Sequence, residues 1–549
     1  MFEWLTARTN TFGLEGKKLR WAITATATIG FSLFGFNQGL MSGIINAENF
    51  HDYFPGTDDS VIQGAVTSCY ELGCFFGALF VLFRGEKIGR RPLIIVGAIV
   101  IIIGTVIAST PMRNHWPLGH FVVGRVVTGI GNGFNTATIP VWQSELSKAE
   151  NRGRLVNLEG AVVAVGTLIA YWIDYGLSFT DQSITLSWRL PVALQVVFAV
   201  CVLFGILQLP ESPRWLVSQE RHEEASIILG ALAQLPPTDD EIVAERLAIY
   251  DGVQRSQSKG FSDLFTRGKT QHLQRMIIGA STQFFQQFTG CNAAIYYSTV
   301  LFEKNMGYSF KSALLLGGIF ATVYALSTIP SFFLIDTLGR RNLFLIGSTG
   351  QAVAFTITFA CLINDTKDNA KGAAVGIYLF IFFFAWTILP LPWVYPPEIN
   401  PLRTRTAAAA VSTCTNWICN FAVVMFTPVF AAQSGWGVYL FFAAINYSWI
   451  PVIYFFYPET AGRALEEIDI IFAKAHIDRT APWVVAKNLP KLSYREVEDQ
   501  VQVLGVYDEL DAEKASFDNK EFFSSDPEDN GTPLKTNKSN GSTEENKPQ

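Results

Sequence analysis

The sequence predicts an all-α membrane protein in which twelve transmembrane helices form two six-helix bundles with both termini in the cytosol. Three observations predict this fold. Uncharged segments reach the length of about 20 residues that spans a bilayer, Lys and Arg concentrate in alternate loops, and three motifs recur about 250 residues apart. The 549 residues are 49% hydrophobic and only 16% charged, whereas soluble domains carry about 25% charge.

Several function classes do not fit this composition. The net charge of −6 argues against a nucleic-acid-binding protein, which normally has a basic patch. All seven cysteines lie in apolar segments and the six histidines are scattered, so neither a disulfide framework nor a metal site is expected. His-Glu-x-x-His, Gly-x-Ser-x-Gly and Walker motifs do not occur in the sequence, which makes an enzyme or an ATP-driven pump a poor interpretation.

Twelve predicted spans account for the apolar segments. The uncharged segments are Trp21–Ala47, Pro92–Met112, Leu190–Pro210, Met276–Phe302, Ser312–Ile335, Asn342–Asn364, Gly372–Pro397 and Thr406–Pro458. The last of these is long enough for two spans, divided at Gln433–Gly435. Three further spans contain ionisable residues, which are Glu71, Arg125, and Glu159 together with Asp174.

Loop charges predict the orientation of these spans. Basic residues precede the first span and follow the second, fourth, eighth and tenth spans. The loop after the first span carries Glu48, Asp52, Asp58 and Asp59 and no Lys or Arg. Because cytosolic loops are enriched in Lys and Arg, we expect both termini in the cytosol.

An internal repeat divides the chain into two halves. The paired motifs are Glu86–Arg91 with Asp336–Arg341, Glu145 and Arg152 with Glu398 and Arg405, and Pro210–Ser212 with Pro458–Thr460. The shifts are 250, 253 and 248 residues. One common offset favours two similar bundles that rock about a site near the middle of the membrane.

The predicted domain boundaries follow from this repeat. They are a cytosolic N-terminus at 1–21, bundles at 22–216 and 274–457, a cytosolic helical linker at 217–273, and a cytosolic tail at 458–549. The tail beyond about residue 508 is acidic and rich in Ser, Asn and Lys, so it is expected to be disordered. Its Lys residues make ubiquitin-dependent turnover machinery a candidate partner, beside the lipid bilayer.

The motifs resemble those of the sugar porter family of the major facilitator superfamily (MFS) over about Leu14 to Pro490. The segments that carry the resemblance are Gly89–Arg91, Pro210–Trp215, Gln286–Asn292, Tyr296 and Tyr297, Pro392 and Trp393, Asn416 and Trp417, Asn420, and Pro458–Arg463. Within the family, Pro140–Glu145, Ala170–Gly176 and Leu465–Phe472 are most similar to yeast glycerol/proton symporters.

The resemblance implies the MFS fold and a multi-pass secondary transporter of the plasma membrane that works by alternating access. It implies that the chain imports glycerol or a related small polyol or sugar by proton symport and requires no cofactor. Two alternatives remain open. The chain is a proton-independent facilitator of polyols or hexoses, or it is a nutrient sensor on a transporter scaffold.

Five residues are placed at the substrate site by resemblance to hexose porters: Gln286, Gln287, Asn292, Trp393 and Asn420. The three residues Gln286, Gln287 and Asn292 lie one or two helical turns apart, so we expect them to share a face. An amide offers a hydroxyl both a donor and an acceptor. The alternative interpretation is that these amides bond neighbouring helices.

Two departures from the hexose-porter pattern bear on the substrate. Hexose porters usually have Gln in the fifth span and often have Asn in the eighth, where this chain has Gly160 and Tyr324. Two hexose contacts are lost and one position becomes bulkier, which favours a small polyol over a six-carbon ring.

Proton coupling cannot use the usual residue of the family. Symporters of this family usually have Phe-Gly-Tyr-Asp in the first span, and this chain ends the motif in Asn37, which cannot carry a proton. The Asp usually faces an Arg in the fourth span, here Arg125. Charges within a membrane are costly and usually functional or paired, so the coupling candidates are Arg125, Asn37 and the carboxylates Glu71 and Glu159. Asp174 lies near the exterior end, and each carboxylate has a structural hydrogen bond as its alternative role.

Charged residues in the repeated loops predict a cytosolic gate. The predicted gate residues are Glu86, Arg90, Arg91, Glu145, Arg152, Glu211, Asp336, Arg340, Arg341, Glu398, Arg405 and Glu459. They are expected to lock the cytosolic side where the bundles meet when that side is shut.

One glycosylation sequon begins at Asn364 in a predicted exterior loop close to the bilayer.

We expect Arg91→Ala to slow transport without abolishing substrate binding, because the change weakens the gate and leaves the cavity intact. The measurement is turnover in reconstituted vesicles beside substrate binding to the purified variant. Unchanged turnover would refute the assignment of Arg91 to a gate.

Overall fold

The computed structural model describes residues 13–112, 115–147, 152–180, 185–255, 261–266, 268–363, 366–492 and 494–505. Within these ranges the regular secondary structure is helical. The first half contains α1 (Gly16–Ile44), α2 (Glu48–Tyr53), α3 (Ser60–Ile88), α4 (Arg90–Ser109), α5 (Pro117–Glu145), α6 (Arg152–Leu177) and α7 (Leu186–Gln208). The predicted linker contains α8 (Pro213–Ser218), α9 (His222–Ala233) and α10 (Asp240–Arg255), with a 3₁₀ turn at Phe261–Phe265.

The second half repeats this arrangement with more interruptions. It contains α11 (His272–Phe288), α12 (Cys291–Val300), α13 (Phe310–Leu326), α14 (Ser331–Leu338), α15 (Arg340–Leu362), α16 (Lys367–Phe383), α17 (Leu391–Ile399), α18 (Arg405–Gln433) and α19 (Gly437–Phe456). Single π-helical turns occupy Leu301–Asn305 and Phe384–Ile388. Three short helices follow, α20 (Leu465–Ile477), α21 (Pro482–Asn488) and α22 (Tyr494–Val503).

Most of the predicted spans are long, apolar helices. Among the described residues, eight helices are long and apolar enough to cross a membrane, and the pair α13 and α14, bent by 49°, adds a ninth. The other predicted spans are α1, α5 and the broken pair α11 and α12. These helices carry buried polar residues such as Asn37, Asn132 and Gln287, which lower their hydropathy and turn toward the interior of the protein.

Glycines allow helices of the first half to approach closely. A Cβ atom added to Gly35 of α1 would lie 1.9 Å from the Val163 carbonyl oxygen, and one added to Gly166 of α6 would lie 2.0 Å from that of Ser32. Small residues let transmembrane helices pack with their backbones in contact. The α1–α6 crossing, which sets one wall of the interior, therefore requires both glycines.

Two interruptions in the second half expose backbone groups near the middle of the membrane. Between α11 and α12, Gly290 has a φ of +94°, a conformation that favours glycine. Between α16 and α17, the π-helical turn is followed by Pro390, which cannot donate a backbone hydrogen bond. Non-helical backbone at this depth is tolerated where it lines a cavity or is bonded within the protein.

One face of the molecule gathers the start of α1, the linker and α20. Arg20 donates to the Leu232 carbonyl oxygen at 2.6 Å. The fully buried Arg275 lies 2.6 Å from Asp469 of α20. These contacts fit the predicted cytosolic face. Asn364 and the tail beyond residue 505 lie outside the described residues, so glycosylation and tail disorder stay predictions.

We expect Gly166→Ala to lower the melting temperature of the detergent-solubilised protein by several degrees, because overpacking usually costs about 1–3 kcal/mol. The matched control is Gly176→Ala on the same helix, where an added Cβ meets no atom within 4 Å. Equal melting temperatures for the two variants would contradict the close-packing role of Gly166.

Candidate functional site

A cavity lies between the two halves, and the atom-free space in and around it, open solvent included, is about 580 Å³. The first half contributes Phe31, Phe34, Gln38, Val156, Glu159, Gly160 and Val163 to its wall. The second half contributes Gln286, Gln287, Cys291, Asn292, Ile295, Tyr324, Phe384, Leu389, Trp393 and Asn416. The wall thus combines aromatic and aliphatic side chains with neutral amides and one carboxylate.

The helix break at Gly290 folds the amide residues together. The Asn292 side-chain amide donates to Gln287 Oε1 at 2.6 Å, and Gln287 in turn donates to Asn416 Oδ1 at 2.5 Å. Gln286 instead donates to the carbonyl oxygens of Ile388 and Leu389 at 3.3 and 3.2 Å. The expected common face is therefore produced by a break in the helix rather than by continuous helical spacing.

The structure brings four of the five predicted substrate residues to the cavity wall, and Asn420 lies behind it. Asn420 is fully buried and accepts a hydrogen bond from Asn292 at 2.8 Å. The sequence interpretation left out Gln38 and Asn416, which also line the cavity. Their signals were present, since Gln38 directly follows Asn37 and Asn416 belongs to one of the motifs. Substrate binding by these residues stays a prediction, because the same amides also bond neighbouring helices.

A buried network of amides and one carboxylate joins the two halves. Gln38 of α1 donates to Asn292 Oδ1 at 3.2 Å, and Asn292 donates to Asn420. Asn420 then donates to Glu71 Oε2 of α3 at 2.8 Å, while the Tyr296 hydroxyl donates to Glu71 Oε1. We call these five residues the bridging network. It connects the cavity wall at Asn292 to a fully buried carboxylate.

Arg125 and Asn37 do not contact each other. Arg125 donates to the Thr67 carbonyl oxygen at 3.3 Å, and its guanidinium lies 4.8 Å from the centre of the Tyr70 ring. Its Nε and Nη1 atoms have no hydrogen-bond acceptor among the described residues. Asn37 donates within its own helix to the Leu33 carbonyl oxygen at 3.1 Å. Arg125 is close enough to Glu71 for electrostatic attraction without a direct ion pair.

The other two buried carboxylates have different surroundings. Glu159 lines the cavity, is 5% exposed and has no hydrogen-bond partner among the described residues. Asp174 lies nearer the exterior, where it borders a separate small cavity with Gly43 and Phe310. Only Glu71 belongs to the bridging network, so the three carboxylates are not equivalent candidates for coupling.

The exterior side of the cavity is closed by hydrogen bonds between the halves. Ser42 Oγ lies 2.9 Å from Thr299 Oγ1, and the Tyr171 hydroxyl lies 2.6 Å from Ser298 Oγ. In the opposite direction the cavity wall extends to Val156, one turn from the cytosolic end of α6. In the predicted orientation, the structure therefore represents a conformation that is shut toward the exterior.

The two charged loops form matching clusters. Arg90 lies 3.1 Å from Glu145, and Arg340 lies 2.9 Å from Glu398. The backbone N–H of Arg91 donates to Glu211 at 3.0 Å, as that of Arg341 donates to Glu459 at the same distance. Asp336 adds an ion pair with Arg340 at 2.8 Å. The repeat in the sequence thus corresponds to a repeat of side-chain contacts.

These ion pairs join helices of the same half rather than the two halves to each other. The Glu86 side chain is exposed, and its carbonyl oxygen accepts a hydrogen bond from Trp215 Nε1 at 2.7 Å. Arg405 donates to the Asn400 carbonyl oxygen at 3.4 Å. The Arg152 side chain lies outside the described residues. Since this conformation is shut toward the exterior, a lock in the opposite conformation stays a prediction.

Glu211 is buried in the first cluster outside the membrane spans. Burial raises the pKa of this carboxyl group to about 7, while the N–H groups of Ser212 and Arg91 and the charge of Arg90 oppose the rise. Between its ordinary pKa and 7, the folded protein therefore binds more protons at this position than the unfolded chain. The contribution of Glu211 to the free energy of unfolding is therefore present at low pH and is lost as the pH rises through this interval.

Two helical halves around a polar cavity that is shut on one side define an alternating-access transporter. The family model for "Sugar (and other) transporter" matches residues 23–472 of the chain. The chain belongs to this family of transporters and is not an enzyme.

Known relatives and structures agree with this assignment. Sugar transporter STL1 of Saccharomyces cerevisiae is 60% identical over 521 residues, covering 93% of this chain and 91% of the relative. Major facilitator superfamily transporter mfsA of Aspergillus fumigatus is 56% identical, covering 91% and 94%. The structure of the proton:xylose symporter XylE from E. coli bound to 6-bromo-6-deoxy-D-glucose has a TM-score of 0.71 at 24% identity, covering 83% and 99%. The predicted MFS fold is confirmed.

We expect Glu211→Gln to flatten the pH dependence of stability between about pH 5 and pH 7, because the buried group can no longer ionise. Melting temperatures of the solubilised wild type should fall over this interval more than those of the variant. Glu220→Gln, which changes an exposed carboxylate of the linker, is the control. Parallel curves for wild type and Glu211→Gln would contradict the raised pKa.

Proposed function

We propose that the chain imports glycerol or a related small polyol across the plasma membrane by proton symport with alternating access. The observation that carries the proposal is the bridging network, which links a cavity lined by amides to a buried carboxylate. Sugar transporter STL1 and the proton:xylose symporter XylE are named for substrates that also carry several hydroxyl groups.

The cavity wall supports a small substrate. The side-chain amides of Gln38, Gln287 and Asn416 line the cavity, where they can exchange hydrogen bonds with hydroxyl groups. Tyr324 and the rings of Phe31, Phe34, Phe384 and Trp393 narrow the remaining space. Neutral hydrogen bonds contribute about 0.5–1.5 kcal/mol each, so a polyol with few hydroxyl groups would be bound reversibly.

Glu71 is better suited to coupling than Glu159. A symporter changes conformation in two states, one with proton and substrate bound and one with neither bound. The protein must therefore accommodate its coupling carboxylate in both the protonated and the ionised form. The ionised Glu71 receives hydrogen bonds from Asn420 and Tyr296 and is attracted by Arg125. Glu159 has no such partners among the described residues, so its ionised form depends on water or substrate in the cavity that it lines.

Protonation of Glu71 would change the hydrogen bonding at the cavity wall through Asn420. A carboxylate accepts hydrogen bonds at both oxygens, whereas a protonated carboxyl group turns one of them into a donor. Either Asn420 then loses its acceptor, or the Tyr296 hydroxyl must change from donor to acceptor. Release of Asn420 changes what Asn292 can bond, and this links the proton to the substrate side of the network.

The available free energy sets what coupling can achieve. A proton moving through ~100 mV releases about 2.3 kcal/mol, and one pH unit adds about 1.4 kcal/mol. Together these support accumulation of roughly a few hundred-fold. A proton-independent facilitator supports no accumulation. Asn37 in place of the usual Asp favours this alternative.

The test adds glycerol to energised vesicles that contain the purified protein and records external pH together with accumulated glycerol. We expect the wild type to alkalinise the exterior and to accumulate glycerol, and Glu71→Gln to equilibrate glycerol without either effect. The reason is that a Gln side chain resembles the protonated carboxyl group, with one acceptor and one donor end, and can neither take up nor release a proton.

The control is Glu220→Gln, which should behave as the wild type. Glycerol equilibration without a pH change in the wild type would establish a facilitator and overturn symport. Accumulation by Glu71→Gln would place coupling on another residue, and impermeability of wild-type vesicles to glycerol would overturn the substrate.

A further inference from the structure

Glu159 is the one carboxyl side chain among the described residues that line the cavity. It is 5% exposed and has no hydrogen-bond partner among those residues. The amides of Gln286, Gln287 and Asn292, by contrast, each donate to a protein acceptor. The cavity therefore presents one strong hydrogen-bond acceptor that has no donor among the described residues.

The surroundings of Glu159 do not supply a compensating cation. Arg125 contacts Thr67 and Tyr70 and is absent from the cavity wall. The other ionisable side chains on the described wall are Tyr324 and Cys291, and neither carries positive charge. When the cavity closes, an ionised Glu159 needs a donor or a positive charge from whatever occupies the cavity.

We propose that Glu159 binds a substrate hydroxyl directly and makes the cavity selective by charge, so that a polyol with an ammonium group in place of one hydroxyl is accepted and a carboxylate analogue is rejected. The inference rests on the proposed polyol transport and names its substrate class more closely. A hydroxyl donates one hydrogen bond to the carboxylate. An ammonium donates and also neutralises the charge.

Rejection of anions follows from the same wall. A carboxylate analogue would bring a second negative charge beside Glu159, and the described wall offers no Lys or Arg to either charge. A buried uncompensated charge is costly. This role differs from that of Glu71, which lies behind the wall and has partners in the protein.

The experiment measures inhibition of glycerol uptake into vesicles by 2-amino-1,3-propanediol, which carries an ammonium at neutral pH, and by glycerate, which carries a carboxylate. For the wild type we expect inhibition by the aminodiol and none by glycerate at the same concentration. In Glu159→Gln the aminodiol should lose about tenfold or more in apparent affinity, as expected for loss of a hydrogen bond to a charged group.

Glu159→Asp keeps the charge and should keep the aminodiol preference, and Glu220→Gln is the control at an exposed carboxylate. Thermal stabilisation of each purified variant by the aminodiol provides a second readout that does not require transport. Equal aminodiol affinities for wild type and Glu159→Gln would overturn the role of Glu159. Wild-type vesicles that take up no glycerol, while the aminodiol still stabilises the wild type but not Glu159→Gln, would overturn the proposed transport function and leave the charge preference standing.

Discussion

The structure depends on how the two halves satisfy polar groups that cannot reach water. Five buried side chains from four helices achieve this in the bridging network, where each donor meets an acceptor from another helix. In the middle of a membrane an unsatisfied polar group is expensive, and so the halves are held in a defined relative position. The position can change only if the network finds new partners, and a cavity that admits water or a polyol provides them.

The charged clusters at the predicted cytosolic face make contacts of a different kind. They brace the helices of each half through the same pairing, Arg90 with Glu145 and Arg340 with Glu398. Gly89 and Gly339 make the approach possible, because a Cβ atom would lie 2.8 Å from Glu211 or 2.5 Å from Glu459. Each half can therefore move as a stiff body while the contacts between the halves are exchanged.

Much of this architecture could be predicted from the sequence because the bilayer restricts the choices. Segment length, loop charge and the repeat fix helical spans and the matching clusters with little reference to side-chain detail. The details of the site depended on backbone interruptions that have no simple period. Gly290 turns Asn292 toward Gln287, and the interruption before Pro390 gives Gln286 its acceptors at Ile388 and Leu389. Gln38 and the partners of Glu71 emerge only when helices from both halves are brought together.

Gly290 and the π-helical turn at Leu301–Asn305 bound α12, a short helix of ten residues that is about 15 Å long. Its first turn carries Asn292, and its last turn carries Ser298 and Thr299, which meet Tyr171 and Ser42 of the opposite half. The preceding helix is anchored at the far end by Arg275 and Asp469. A tilt of α12 about Gly290 would displace both of its ends at once. The contacts of Asn292 at the cavity and the closure of the outer entrance by Ser298 and Thr299 would therefore change together.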